Sequence, residues 1–63
     1  MFFIVTGYGP NGPVSFTCET PAGALAKALE LVAGGTRDVL IADGDGLQYA
    51  PADFDRRFVT PTP

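Results

Sequence analysis

Residues Phe2 to Thr6 are aromatic or β-branched at every position, which predicts a strand apolar on both faces and therefore central in a sheet. The run Gly7-Tyr8-Gly9-Pro10-Asn11-Gly12-Pro13 then breaks it, with proline and asparagine suited to a turn and glycines free to take unusual φ. From Val14 to Glu19 the pattern alternates: Val14, Phe16 and Cys18 share one face, Ser15, Thr17 and Glu19 the other. That period of two marks a strand buried on one side only, and the pair reads as a hairpin with a longish loop.

Thr20-Pro21 carries the signature of a helix start, threonine as N-cap and proline in the first turn. The helix is expected to reach Ala33, with Gly34-Gly35 as a left-handed stop. At 100° per residue Ala22, Leu25, Leu29, Val32 and Ala33 form one stripe, and Gly23, Lys27 and Glu30 the opposite one. Leu31 lies beside the polar stripe. Val39-Leu40-Ile41-Ala42 is a third strand, apolar on both faces, followed by the turn Asp43-Gly44-Asp45-Gly46 and a short strand over Leu47-Gln48-Tyr49. Ala50 to Phe58 reads as a short helix with acids early and arginines late, and Phe54 and Phe58 on one side of it. Thr60-Pro61-Thr62-Pro63 is expected to be a flexible tail to a single domain over 1–59.

The order is β-β-α-β-β plus a short C-terminal helix. A right-handed crossover between the second and third strands leaves room for the first between them. The expected fold is α+β, a two-layer sandwich with an antiparallel four-stranded sheet of order 2-1-3-4. The main helix covers one face.

Composition narrows the function. Apolar residues make up 46% of the 63 positions and charged ones 17%, as in a folded domain. So small a fold has a thin stability margin and often gains from a disulfide, a metal or a partner subunit. Cys18 is the single cysteine and there is no histidine, which removes an intramolecular disulfide and leaves zinc poorly served. A partner subunit, a homodimer or an unidentified protein, is the remaining route. Four cations against seven acids give a net charge of −3, so neither nucleic acid nor an anionic membrane is an expected partner. The short apolar N-terminus lacks the features of a signal peptide, and with one unpaired cysteine the expected location is cytoplasmic.

Two motifs invite chemistry. Gly7-x-Gly9-x-x-Gly12 has the spacing of a dinucleotide-binding loop, but Pro13 and a strand follow where that loop requires a helix. The reading is a glycine-rich hairpin and no cofactor. Asp43-Gly44-Asp45-Gly46 begins like a calcium loop, yet its fifth and twelfth positions are Leu47 and Phe54, which cannot ligate. Turn and helix-dipole preferences account for Asp43, Asp45, Asp53 and Asp55. Without histidine no Ser-His or Cys-His pair forms. Ser15 falls on a polar strand face, Lys27 on the solvent side of the helix and Cys18 on a buried face, so no catalytic residue is assigned and no enzyme is expected.

The segment Thr20 to Phe58 resembles small uncharacterised bacterial proteins that share a helix ending in glycine (Ala24 to Gly35), an apolar strand (Val39 to Ala42), an acidic glycine turn (Asp43 to Gly46) and a downstream phenylalanine (Phe54). The resemblance implies bacterial origin and this same fold, and no activity. The β-β-α-β order is also similar to the small domains of HicB-type antitoxins, which bind a protein partner. It lacks their DNA-binding element.

What remains is the second face of the sheet. Two central strands are apolar on both sides, and one helix covers only one of them. Either Phe54 and Phe58 fold back over the other face, or a second sheet or partner does. The expected function is a non-enzymatic interaction or self-associating module, with Phe2, Phe3, Tyr8, Leu31, Phe54 and Phe58 as candidate surface residues. The alternatives are small-ligand or divalent-cation binding at the Asp43–Gly46 loop and an antitoxin-like partner-binding domain.

Overall fold

The computed structural model describes residues 2–59; the expected tail over 60–63 lies outside them. In chain order the elements are β1 (Phe3–Gly9), β2 (Gly12–Cys18), α1 (Pro21–Ala33), β3 (Arg37–Ala42), β4 (Gln48–Tyr49) and α2 (Pro51–Phe54), which runs into a π-helical turn over Asp55–Val59. The four strands form one antiparallel sheet in the order β2-β1-β3-β4. The α+β fold and strand order therefore follow the pattern of the sequence.

The hairpin differs from expectation. Gly9 pairs with Gly12, so the loop is only Pro10 and Asn11, and the glycine-rich segment is mostly strand. Gly12, at φ +121°, takes the conformation that a side chain would resist. Gly7 serves another purpose. A Cβ there would lie 2.6 Å from Thr36 Cγ2 and 3.2 Å from both the Arg37 carbonyl oxygen and Val39 Cγ2. Glycine lets the start of β3 press against β1. At this point the β1–β3 register shifts, Thr6 opposing Leu40 and Tyr8 opposing Arg37, and Asp38 in the extra position has φ +53°. The bulge explains why β3 begins two residues earlier than its apolar run.

Helix α1 starts and ends as its sequence dictates. The Thr20 side-chain oxygen accepts the Gly23 N–H at 3.0 Å. At the other end the Thr36 N–H donates to the Leu31 carbonyl and the Gly35 N–H to the Val32 carbonyl, with Gly35 at φ +92°. This is a Schellman stop, and Gly35 is its left-handed residue.

The face that α1 buries is not the stripe its hydrophobicity favours. Ala24 and Ala28 are fully buried, with Leu25 and Leu31 beside them, whereas Leu29 and Val32 are about half exposed, at 53% and 51%. Small side chains one turn apart allow the helix to lie close to β1 and β3, and leucines on the midline would hold it off. Proximity to the sheet outweighs the burial of Leu29 and Val32. Lys27 is also displaced from solvent: its ammonium lies 4.5 Å from the Phe16 ring centre and 3.6 Å from Glu30.

The core lies between α1 and the inner face of the sheet, and consists of Phe3, Val5, Ala24, Ala28, Val39, Ile41 and Phe54. Phe54 is wholly buried; it stacks on Phe58 at 4.7 Å and meets the edge of Phe3 at 5.4 Å. Phe58 in turn lies 5.8 Å from Phe3 and 5.5 Å from Tyr49. The C-terminal helical segment thus packs beside α1, on the same face of the sheet, and not on the opposite face. The space it fills exists because alanines line the underside of α1.

Candidate interaction surface

With both helical segments on one side, the outer face of the sheet is uncovered by any described residue. Its side chains follow from the register. Cross-strand pairs Ile4–Thr17, Thr6–Ser15 and Tyr8–Pro13 join β1 to β2, and Ile4–Ala42 and Thr6–Leu40 join β1 to β3. Phe2, next to β1, is 58% exposed, Ile4 43% and Tyr8 57%. The centre of the face is therefore aliphatic and aromatic, and β2 adds a margin of hydroxyls. Arg37, the register partner of Tyr8, and the bulged Asp38 stand at the hairpin end of the face. A depression of about 430 Å³ is lined by Thr6, Tyr8, Ser15, Asp38, Leu40 and Gln48 among others. A second, of about 470 Å³, lies between Phe2, Ile4 and the Asp43–Asp45 turn.

The Asp43–Gly46 turn is organised by its first residue. Asp43 Oδ1 accepts the N–H groups of Asp45 at 2.9 Å and Leu47 at 3.0 Å, and Oδ2 accepts the Tyr49 hydroxyl at 3.1 Å. Both carboxylate oxygens are thus engaged within the chain. Desolvation and the hydrogen bond to Asp43 raise the Tyr49 pKa above its ordinary value of 10.0. Among the described residues no cluster of three or more acidic or thiol side chains is placed to hold a metal ion.

The candidate residues from the sequence divide cleanly. Phe2 and Tyr8 are on the outer face. Phe3 and Phe54 are buried and are corrected from surface to interior, whereas Leu31 and Phe58 are half-buried against the core on the helical side of the sheet and not on its outer face. Phe3 points inward because its register partner is Cys18, on the buried side of β2. Leu31 is brought down by the rotation of α1 that puts Ala24 and Ala28 against the sheet. Ile4, Thr6, Leu40 and Ala42 belong to the outer face, and sequence reasoning did not single them out. The signal was available: pairing Phe3 and Val5 with the alternating β2 residues fixes which parity of β1 faces out.

Ser15 is exposed on β2, and Cys18 is a free, partly buried thiol packed against the core. Arg56 pairs with Asp53, and Arg57 lies 5.6 Å from the Tyr49 ring, so both belong to the C-terminal segment and not to the outer face. No helix among the described residues is long and apolar enough to cross a membrane. Compared with protein-family models, curated proteins and solved structures, the chain finds no match, so the functional reading rests on its own geometry.

Proposed function

We propose that the chain is a non-enzymatic protein-interaction module that works through the outer face of its sheet. The observation that carries this reading is the row Phe2, Ile4 and Tyr8, each at least 43% exposed, on a face that neither helical segment covers. Contiguous apolar surface of this kind on a small domain marks an interaction site. The chain's reactive groups stand apart, with Ser15 on the outer face, Cys18 against the core and Lys27 over Phe16. The Asp43–Gly46 loop supports a cation-binding role less well, because backbone and Tyr49 already occupy its first carboxylate.

Immobilised chain and an Ile4→Glu variant, exposed in parallel to source-cell extract and to the free chain, test the reading. Ile4 has solvent access, so the variant is expected to fold, as circular dichroism will check. The wild type should retain protein that the variant does not. Identical retention by the two removes the outer face as an interaction surface.

A further inference from the structure

We infer that the occupant of the outer face is a second copy of this chain, packed sheet against sheet; this rests on the interaction reading above. The charge of the face favours this occupant. A surface that meets its own copy must not bring like charges together, and the middle of this face, Ile4, Thr6, Ser15, Leu40 and Ala42, carries none. Lys27, Arg56 and Arg57 lie with the helical segments, which leaves Arg37, opposite Tyr8 at the hairpin end, as the one cation bordering the face, fewer than a nucleic acid or an acidic peptide would require.

The area of the face also suits a second copy. Strands of about six residues at about 3.3 Å each, set about 4.8 Å apart, give a face of roughly 20 by 15 Å. Two such faces with their side chains bury on the order of 1,000 Å², the lower limit of a specific interface. The pair is therefore a reversible dimer.

The shape of the face selects an orientation. A two-fold axis that runs along the strands between β1 and β3 sets the β1 row of one copy over the β3 row of the other. Sheets packed this way keep their strands within about 30° of alignment. The larger Ile4 then faces the smaller Ala42 of the second copy, Thr6 faces Leu40, and Tyr8 comes to the bulge at Arg37 and Asp38. The residue level with Tyr8 on β3 is Arg37, and Asp38, the extra residue of the bulge at φ +53°, adjoins it at the hairpin end of the face.

Sedimentation equilibrium over a range of concentrations tests the inference. The wild type should pass from 6.6 kDa to about twice that mass as concentration rises. Ile4→Glu should weaken the dimer about a hundredfold or more, because a carboxylate would be buried unpaired. Tyr8→Phe and Asp38→Asn should each weaken it by about tenfold or less, and Leu29→Glu, on the outer side of α1, should leave it unchanged. A wild type that stays monomeric at every concentration overturns the inference; if Ile4-dependent capture of another protein persists, the interaction reading survives it. A dimer indifferent to Ile4→Glu, or one abolished by Leu29→Glu alone, overturns it as well and moves the interface to the edge of β2 or to α1.

Discussion

Adding one methyl group at Gly7 probes the contact on which the sheet is built. The φ of Gly7 is one that alanine tolerates, so the cost of Gly7→Ala is steric. The new Cβ would lie 2.6 Å from Thr36 Cγ2, closer than carbon atoms approach without displacement. Thr36 can turn its methyl aside, but the Arg37 carbonyl oxygen and Val39 Cγ2 remain at 3.2 Å, and Val39 is buried. Overpacking of this kind costs about 1–3 kcal/mol. A fold of 63 residues has a total stability of roughly 3–9 kcal/mol, so a substantial part of it is at stake. At about 4–8 °C per kcal/mol, Tm should fall by roughly 5–20 °C in a thermal melt followed by circular dichroism. Thr36→Ser removes the nearest methyl, so the double variant should regain part of the loss. A Gly7→Ala protein that melts within about 2 °C of the wild type would refute the close β1–β3 approach.

Other substitutions test the core and the turn. Phe54→Ala empties the centre of the aromatic cluster and should cost about 3–5 kcal/mol, a large share of the fold's stability read as a fall in the urea midpoint, whereas Phe54→Leu should lose less. Asp43→Ala removes the acceptor of two backbone N–H groups and the Tyr49 hydroxyl, and chemical denaturation should register a loss of about 1–3 kcal/mol. Tyr49 has its pKa raised in the folded state by desolvation and by Asp43, so its contribution to stability is full below the unfolded value of 10.0 and is lost as pH rises through the folded one. Alkaline spectrophotometric titration should show Tyr49 ionising earlier in Asp43→Asn than in the wild type. Millimolar calcium or magnesium should leave Tm unchanged; an increase abolished by Asp43→Asn would restore the cation-binding alternative.

Helix boundaries and sheet order were legible in the sequence because they rest on local chemistry and chain connectivity. Thr20, Pro21 and Gly35 act on hydrogen bonds within a turn of themselves, and alternation at Val14–Glu19 needs only the period of a strand. The order β2-β1-β3-β4 followed from the handedness of one crossover together with two strands apolar on both sides. The glycines misled because local freedom was the only role visible for them. Gly7 and its methyl-bearing neighbours Thr36 and Val39 are far apart in sequence, and their contact exists only once β3 lies against β1.

The outer face shows the same division. Two-sided apolar strands and a shortage of covering helix already implied an unaccompanied surface. Which residues form it depended on the rotation of α1 and the docking of Phe54 and Phe58. Hydrophobicity along α1 favours Leu29 and Val32, but contact distance favours alanine, and only the packed sheet supplies the distance. Composition and pattern thus determined the elements, their order and the excess of apolar strand. Tertiary packing decided which side of each element is interior, because that choice is made between surfaces and not within a segment.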